Sequence, residues 1–517
     1  MKNTEKKSRL DIARVRANLR LAKLPLAAIP NALSLAIISA VLLIVARPGQ
    51  AQNEHVLYNF CSEPNCTDGG DPSGSLISDG DSNFYGTTFG GGTFGYGTVY
   101  ELSPNGSGGW NETVIYNFTG GIDGSRPSQA GVIFDSTGNL YGTASMGGAN
   151  GLGVVFELSP AEGGGWKETV LYNFGGGGEY PENGLIMDST GNLYGSDNAQ
   201  GAFELSPSGG GWVEQAIYDF NTDYYYAGLT MNAAGSIFGA AYDPDNVFEI
   251  SSNGDGGWTP SVIHIFTGAP KDGNAPEGTP VLDKAGNVYG TTTTGGAKNY
   301  GAVYKLTLVT TGEKKGTWTE KILYSFKGGT EDGTSPWGGV VLDSSGNIYG
   351  TTSVGGKYGD GTVFELVADG SSYKEKILWN FNGVDGANPF ASLTLDSGNI
   401  YGNTSAGGSG GNGVIFEVNP SGKAAPTTTA LTSSLNPSIS GEAVTFTAVV
   451  TPAPFDGETI TFKHGATVLG TGLLSGGSAS FTTSTLNVGT TTVDAVYGGD
   501  GDSDASTSNI VKQVVEK

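Results

Sequence analysis

A short phrase bounded by glycines recurs seven times along the chain and constrains the fold more than any other feature. Its second copy reads STGNLYG. The asparagine of the phrase, replaced once by serine, falls at Asn83, Asn139, Asn192, Ser236, Asn287, Asn347 and Asn399. Successive copies are 44 to 60 residues apart, a period typical of β-propeller repeats and too long for leucine-rich or ankyrin repeats. The sequence therefore predicts a tandem-repeat protein.

Each repeat contains four short segments with the composition of β-strands. In the second copy they read GVIFDSTG, NLYGTAS, GVVFELSP and WKETVLYNF. Val, Ile, Phe, Tyr and Thr dominate them, and turn-forming residues separate them. Asp135 and Gly138 are typical of a hairpin turn, because Asp accepts hydrogen bonds from nearby backbone and Gly tolerates positive φ. The repeated phrase is thus predicted to be a turn and the strand that follows it.

The units GNLYGTASMGG...GVVFELSP and GNIYGTTSVGG...GTVFELV resemble the GloVer repeat of secreted bacterial proteins. The resemblance covers roughly residues 52–420. It implies export and a tandem β architecture, and it supplies no catalytic residues. The fourth copy, GSIFGAAYDPDNVFEI, departs most from the pattern.

The seventh repeat lacks a fourth strand, and a matching segment lies at the other end of the chain. NEHVLYNF, residues 53–60, aligns with NETVIYNF, residues 111–118. A ring that takes its last strand from the N-terminal side has no open edges, and seven blades lie within the range of propellers. We predict an all-β fold, with a seven-bladed β-propeller over residues 52–422 closed by its N-terminal strand.

Residues 1–51 differ from the rest in charge and hydropathy. Basic side chains precede the apolar residues 33–46, which are few for a membrane span, and the small residues Gly49 and Ala51 follow. We expect a signal peptide cleaved after Ala51, which leaves no membrane span; an uncleaved anchor is the alternative, because the basic leader is long. Cleavage leaves 17 basic and 48 acidic side chains, a net charge of −31. That charge excludes nucleic acid as an expected partner and favours cations.

The C-terminal segment has a different composition. After a linker at residues 423–426, residues 427–517 are rich in Thr and Ser, with strands at the spacing of a β-sandwich. This segment resembles bacterial Ig-like repeat domains, which implies a spacer or adhesive module. DGDSD, residues 500–504, begins like a calcium loop but lacks the later Gly and acid, so a solvated hairpin loop is the preferred interpretation.

Two cysteines, Cys61 and Cys66, lie in CSEPNC, where Pro64 and Asn65 could turn the chain back on itself. In an exported protein we expect them to form a disulfide bond. Two thiols and three scattered histidines are too few for a metal site.

Glutamates recur in the third strand and tryptophans recur before the fourth. Catalysis does not need one carboxylate per repeat, so both series are interpreted as structural, with the tryptophans packing between blades. No Ser/His/Asp set and no cofactor motif is visible, and no catalytic residue is assigned. The two series are Glu101, Glu157, Glu204, Glu249, Glu365 and Glu417, and Trp110, Trp166, Trp212, Trp258 and Trp318.

The loop after the fourth strand reads Asp-Gly-x-x-Pro in five copies. Antiparallel alternation places these loops on one face of the ring. The preferred interpretation is a structural turn, with calcium, the one cofactor that the sequence suggests, or sugar hydroxyls as alternatives. We name these residues the loop acids: Asp68, Asp123, Asp272, Asp332 and Asp385.

The third and fourth repeats lack both Asp-Gly-x-x-Pro and the Gly-Gly loop between their second and third strands. The rim should be lower there and form a notch. Aromatic rings beside carboxylates suit sugars, tyrosines also bind proteins, and packing of the tyrosines onto the short blades is the structural alternative. The predicted notch contains Tyr180, Asp223, Tyr224, Tyr225, Tyr226, Tyr242, Asp243 and Asp245.

These features favour an exported, noncatalytic binding or cell-surface protein whose ligand is a glycan or a protein. Two other classes stay open. A glycan-active hydrolase or lyase could use carboxylates of the acidic face, because such pairs are defined by their separation in space rather than in sequence. A purely structural envelope or matrix component would have no concave ligand site.

Overall fold

The computed structural model describes residues 54–105, 109–127, 131–175, 178–198, 201–218, 227–370, 372–421, 427–451, 454, 458–475, 477–499 and 503–517. All of them belong to one of the two units of the chain, Gly49–Lys517. The described residues form β-strands, turns and loops, with one short 3-10 helix, Pro64–Cys66. The prediction of an all-β fold is confirmed.

Seven antiparallel sheets of four strands contain most of the strands. The first strand of the chain, β1 (Glu54–Asn59), belongs to the last of these sheets. Sheet 1 contains β2 (Ile77–Ser78), β3 (Phe84–Thr88), β4 (Thr98–Pro104) and β5 (Trp110–Asn117). Sheet 2 contains β6 (Ile133–Phe134), β7 (Leu140–Ala144), β8 (Val154–Pro160) and β9 (Trp166–Asn173). Sheet 3 contains β10 (Ile186–Met187), β11 (Leu193–Asp197), β12 (Gly201–Ser208) and β13 (Gly211–Tyr218).

The remaining four-stranded sheets follow the same order. Sheet 4 contains β14 (Thr230–Met231), β15 (Ile237–Ala241), β16 (Asn246–Ser252) and β17 (Trp258–Ile265). Two-residue strands β18 (Gly273–Asn274) and β21 (Thr294–Gly295) pair in the loops of sheet 5, which contains β19 (Val281–Leu282), β20 (Val288–Thr292), β22 (Ala302–Leu308) and β23 (Trp318–Ser325). Likewise β24 (Gly333–Thr334) and β27 (Val354–Gly355) pair beside sheet 6, which contains β25 (Val341–Leu342), β26 (Ile348–Thr352), β28 (Thr362–Asp369) and β29 (Ser372–Asn380).

Sheet 7 combines the two ends of the repeat region. It contains β30 (Thr394–Asp396), β31 (Asn399–Thr404) and β32 (Val414–Val418), and β1 completes it. β1 runs antiparallel to β32, from Glu54 opposite Val418 to Asn59 opposite Val414. The outer edge of β32 is therefore covered by a strand more than 350 residues away in sequence, as the alignment of residues 53–60 predicts.

The repeated phrase forms the turn between the first and second strands of each sheet. In sheet 2 the Asp135 carboxylate accepts hydrogen bonds from the backbone N–H of Thr137 (2.8 Å) and of Asn139 (3.0 Å), and from Asn139 Nδ2 (2.9 Å). Gly138 closes the turn at φ 89°. Gly142 must be glycine for a packing reason, because a Cβ atom there would lie 2.6 Å from Phe156 Cζ on the next strand.

The hydrophobic core lies between consecutive sheets rather than within them. The second strands are buried along their whole length, as β7 illustrates. Seven clusters of buried side chains each join one sheet to the next. One of them contains Leu57 and Tyr401 of sheet 7 together with Phe84 and Tyr100 of sheet 1. Burial of each such aromatic side chain contributes about 2–3 kcal/mol, so the sheet-to-sheet contacts supply most of the stability.

The C-terminal strands form two further sheets. The first orders β33 (Thr428–Ser433), β35 (Val444–Thr451) and β38 (Ser478–Thr483). The second orders β34 (Ser438–Ile439), β41 (Val511–Glu516), β39 (Gly489–Tyr497), β36 (Thr459–His464) and β37 (Thr467–Leu473), with β40 (Ser506–Thr507) on β39. One cluster, with Phe446 and Phe462 fully buried, joins the two sheets.

Candidate functional site

A small cavity lies where the loops that lead into the first strands of five sheets converge. Its volume is about 40 Å³, room for roughly three water molecules. We call it the central cavity. Residues from sheets 1, 3, 5, 6 and 7 line it: Ser73, Ser75, Asn183, Glu277, Gly278, Thr279, Trp337, Gly338, Gly339, Phe390, Ala391 and Ser392.

Close backbone contacts hold these loops together around the cavity. Thr291 Oγ1 donates a hydrogen bond to Gly338 O (2.9 Å), and Gly339 N donates one to Ser392 Oγ (2.8 Å). A Cβ atom on Gly338 would lie 2.5 Å from Ala391 O. The loops therefore approach one another as closely as backbone allows, and the cavity has a rigid wall.

The large side chains of the central cavity are two aromatic rings and one carboxylate. The rings of Trp337 and Phe390 meet edge to face with centroids 5.6 Å apart, and 37% of Trp337 is exposed. Glu277 lies among them, and its Oε2 is buried with no hydrogen-bond partner among the described residues. Burial raises the pKa of Glu277 to about 7. The cavity thus combines a partly exposed aromatic surface with an acid whose pKa burial raises.

Sequence reasoning missed these residues, although the repeat carries a signal for them. Ser73, Glu277, Trp337 and Phe390 each follow the proline at the end of an Asp-Gly-x-x-Pro loop. The structural positions around them keep their residue type from repeat to repeat, whereas this position changes between serine, acid and aromatic. A position that varies inside a regular repeat is free of the repeat's packing constraint and can serve binding.

The loop acids lie where the chain leaves one sheet for the next, and four of the five are buried: Asp68, Asp123, Asp272 and Asp332. Asp123 accepts hydrogen bonds from Tyr116 OH (3.0 Å), Thr119 N (2.7 Å) and Gly121 N (3.2 Å). Asp385, which is less buried, accepts one from Asn382 N (2.8 Å). These carboxylates are occupied in shaping their own loops, as the structural interpretation expects. Calcium at the loop acids stays a prediction.

Each of the four buried loop acids interacts with a glutamate in the fourth strand of the next sheet. The pairs are Asp68 with Glu112, Asp123 with Glu168, Asp272 with Glu320 and Asp332 with Glu375. In every pair Oε1 of the glutamate is buried without a hydrogen-bond partner among the described residues.

In these four Asp–Glu pairs, which we call the interface pairs, the pKa of the glutamate is raised well above its usual value. Burial, and after it the charges of Asp68 and Glu63, raises the pKa of Glu112 to about 8. Burial and the facing aspartate raise the pKa of Glu168, Glu320 and Glu375 to about 7. Four copies of one arrangement at four sheet interfaces indicate a structural element of the repeat, not a single reactive centre.

The predicted notch is only partly described. Asp223, Tyr224, Tyr225 and Tyr226 lie outside the described residues. Tyr180 is half-buried, with φ 54°, and its N–H donates to Leu152 O (2.8 Å). Tyr242 and Asp243 are exposed in the four-residue connection between β15 and β16, and Asp245 accepts a hydrogen bond from Ala275 N (2.8 Å). The notch as a ligand site stays a prediction.

The other repeated side chains have structural partners. Trp166 lies against Tyr85 of the preceding sheet with ring centroids 6.5 Å apart, and Trp258 lies against Tyr194 at 5.7 Å. The predicted packing of the tryptophans between sheets is confirmed. Among the third-strand glutamates, Glu365 accepts a hydrogen bond from Tyr349 OH (3.2 Å). Cys61 and Cys66 are joined by a disulfide bond.

In the part of the chain that the structure describes, no group of three or more His, Cys, Asp or Glu side chains is placed to hold a metal ion. No helix there is long and apolar enough to cross a membrane.

The sheets and their interfaces define a propeller-like, all-β repeat protein. Similar solved structures include the extracellular domain assigned to a hybrid two component system of B. thetaiotaomicron, at 11% identity and a TM-score of 0.49, covering 90% of this chain and 59% of that one. A catalytically inactive virginiamycin B lyase from Staphylococcus aureus with quinupristin has 14% identity and a TM-score of 0.45, covering 71% and 98%. The chain spans less than two thirds of the first of these structures. No curated protein matches the chain.

The sequence profile of the Gloeobacter/Verrucomicrobia repeat matches residues 46–246 and 239–450. These two matches cover most of the chain, which therefore belongs to the Gloeobacter/Verrucomicrobia repeat family. The profile of a bacterial Ig-like domain (group 3) matches residues 431–516. Both resemblances found in the sequence are confirmed.

Proposed function

We propose that this protein is an exported, noncatalytic binding protein that takes its ligand, a glycan or a protein, at the central cavity. Residues 1–51 are its signal peptide and residues 52–422 a seven-bladed β-propeller closed by β1. After the linker at 423–426, residues 427–517 form an Ig-like β-sandwich that acts as a spacer at the cell surface or outside the cell.

Three observations support the architecture. The seven four-stranded sheets follow one another in chain order, and a hydrophobic cluster joins every sheet to the next, including sheet 7 to sheet 1. β1 completes sheet 7. The two C-terminal sheets share one core and coincide with the bacterial Ig-like match, which also supports a surface location.

The observation that carries the binding function is the aromatic pair of Trp337, which is partly exposed, and Phe390, which line the same cavity as Glu277. Trp337 and Phe390 come from different sheets and meet at the cavity, where neither is needed to fill a sheet interface. Ligand sites are concave surfaces with aromatic walls and a few polar groups. A partly exposed tryptophan and a half-buried acid in one lining meet that description.

The enzyme alternative requires a single close pair of carboxyl groups in a cleft. The interface pairs recur in four copies, and none of their members lines the central cavity. Glu277 is the one carboxylic acid among the residues that line it. This distribution favours binding over hydrolysis.

The test is a glycan and peptide binding screen on the protein and on the Trp337→Ala variant. We expect the variant to bind the identified ligand at least tenfold more weakly, about 1.4 kcal/mol, with little change in melting temperature because Trp337 is partly exposed. Phe94→Ala is the matched control, since Phe94 is 55% exposed in a loop of sheet 1 and does not line the cavity. Equal binding by Trp337→Ala and the unmodified protein would contradict the proposal.

Ring closure has its own test. Removal of residues 54–60 should expose β32 and lower the melting temperature of the whole repeat region, because Leu57 and Phe60 leave the core between sheets 7 and 1. Removal of residues 427–517 should leave that transition in place. Unchanged melting after loss of residues 54–60 would refute a closed ring.

A further inference from the structure

Glu277 is half-buried, and one of its carboxylate oxygens has no hydrogen-bond partner among the described residues. It follows the buried Pro276 at the entry to sheet 5 and lines the central cavity. Its Oε2 is buried and accepts no hydrogen bond from any described residue. A buried carboxylate oxygen without a donor is costly, since burial removes water without supplying a hydrogen bond. The interface glutamates share this property but recur in four sheets, whereas Glu277 is the one acid in the cavity lining, which favours a functional role.

The surroundings of Glu277 suit a cation. None of the residues that line the cavity is Lys, Arg or His, so the lining offers no counter-ion. Its largest members are Trp337 and Phe390, and aromatic faces attract cations through the ring quadrupole. The chain as a whole has 50 acidic and 26 basic side chains, so its field draws cations toward it.

The most enclosed part of the cavity is small, about 40 Å³, and the cavity is open to solvent. It admits an ammonium group with the carbon that carries it, while the rest of the ligand lies outside against the exposed face of Trp337. Ser73, Ser75 and Ser392 bring hydroxyl oxygens to the same lining, which can accept hydrogen bonds from the other ammonium protons.

We propose that the central cavity binds a primary ammonium group, with Glu277 as its counter-ion and Trp337 and Phe390 as its aromatic wall. This inference rests on the proposed binding function and specifies its ligand. The shared chemistry has two sources outside a cell, a free amino sugar in a polysaccharide and a lysine side chain in a protein. Neutral and anionic ligands lack the charge that Glu277 requires.

Binding of an ammonium group should change the protonation of Glu277. Burial raises the pKa of Glu277 to about 7, and it is the one ionisable side chain in the cavity lining. A bound ammonium group stabilises the ionised carboxylate and expels its proton. Binding of a lysine side chain, which stays fully charged near pH 7, should therefore release protons, and its affinity should rise as the pH rises through the pKa of Glu277.

The experiment compares ligands that differ only in the charged group. Titration calorimetry at pH 7, in two buffers of different ionisation enthalpy, measures glucosamine hexamer against N-acetylglucosamine hexamer, and a lysine peptide against its acetylated form. We expect at least a tenfold preference for the free amine in one of the two arms, with proton release if that arm is the lysine peptide. Glu277→Gln should remove the preference and the proton release while keeping the melting temperature.

Glu182→Gln is the matched control, since Glu182 follows the corresponding proline before sheet 3 but does not line the cavity. An amine preference that survives Glu277→Gln, or falls equally in Glu182→Gln, would assign the effect to the general negative field and overturn the proposal. Equal binding of amine and acetylated ligands, weakened by Trp337→Ala, would overturn the ammonium site and leave the binding function standing. If no ligand depends on Trp337, both are wrong.

Discussion

Two series of aspartates run around the repeat region, and they differ in burial and in the side chains that surround them. The turn acids lie between the first and second strands: Asp79, Asp135, Asp188, Asp283 and Asp343. The second series lies after the fourth strand and consists of the four buried loop acids, which we call the interface acids: Asp68, Asp123, Asp272 and Asp332. Both series belong to short Asp and Gly turns, and sequence alone gives them the same role.

The turn acids are surrounded by donors. Burial raises the pKa of Asp135, but hydrogen bonds from the backbone of Asn139, from Thr137 and from the Asn139 side chain outweigh it, so the pKa is lowered. Asp188, Asp283 and Asp343 follow the same pattern. The interface acids instead face a glutamate whose pKa is raised. The comparison teaches that similar Asp and Gly turns can place a carboxylate among hydrogen-bond donors in a hairpin turn or beside a glutamate at a sheet interface, where it helps to raise the pKa of that glutamate.

The largest contrast is expected on removal of one carboxylate from each series. Asp123→Ala leaves Tyr116 OH and two backbone N–H groups without their acceptor at a buried site. The free energy of unfolding should fall by about 2 kcal/mol. Asp135→Ala removes a similar set of hydrogen bonds from an exposed turn, where water replaces them, and should cost about 1 kcal/mol or less. Chemical denaturation of both variants measures the difference, and equal losses would show that burial does not separate the two series.

The second contrast is a pH dependence from the interface glutamates. Their pKa values lie above those of the unfolded chain, so the folded state holds protons that the unfolded state releases between about pH 4.5 and pH 8. The stabilisation from these glutamates is fully present below their pKa in the unfolded chain. It is lost as the pH rises through their higher pKa in the folded protein. The melting temperature should therefore fall from pH 5 to pH 9.

Replacing Glu112, Glu168, Glu320 and Glu375 together by Gln should flatten that slope and raise the melting temperature at pH 9. The matched control replaces Glu313 and Glu331, which are exposed, and should leave the slope unchanged. If the melting temperature of the fourfold variant fell with pH as steeply as that of the unmodified protein, the interface pairs would not hold protons.

Much of the fold follows from local pattern. The strands quoted from the second repeat coincide with β8 and β9, and the turn at Asp135 forms as its Asp and Gly predict. Alignment of residues 53–60 with residues 111–118 was sufficient to pair β1 with β32. Repetition makes such predictions secure, because one unit cannot bury its apolar surface without the next.

The candidate site did not follow from local pattern. Asp123 and Glu168 are 45 residues apart in the chain. They interact because Asp123 follows the fourth strand of sheet 1 and Glu168 lies in the fourth strand of the neighbouring sheet 2. Glu277, Trp337 and Phe390 come from three sheets and meet only where the loops converge. Neither juxtaposition is encoded in spacing along the chain, and the short loops that predict the notch do not indicate where the loops of other sheets converge.

The smallest contrast is expected at acidic pH, from the turn acids. The pKa values of the turn acids are lowered in the folded protein. The stabilisation from these aspartates is therefore fully present above their pKa in the unfolded chain and is lost as the pH falls through their lower pKa in the folded protein. Stability should therefore decline below about pH 4, whereas the interface glutamates impose the decline above pH 5. Replacement of Asp135, Asp188, Asp283 and Asp343 by Asn should remove part of the acid decline and leave the alkaline slope intact. Because these turns are solvent-exposed, each should contribute only about 0.5 kcal/mol after screening. Melting curves at pH 3, 5 and 9 measure both limbs, and a fourfold Asn variant that also lost the alkaline slope would show that the two series are coupled rather than independent.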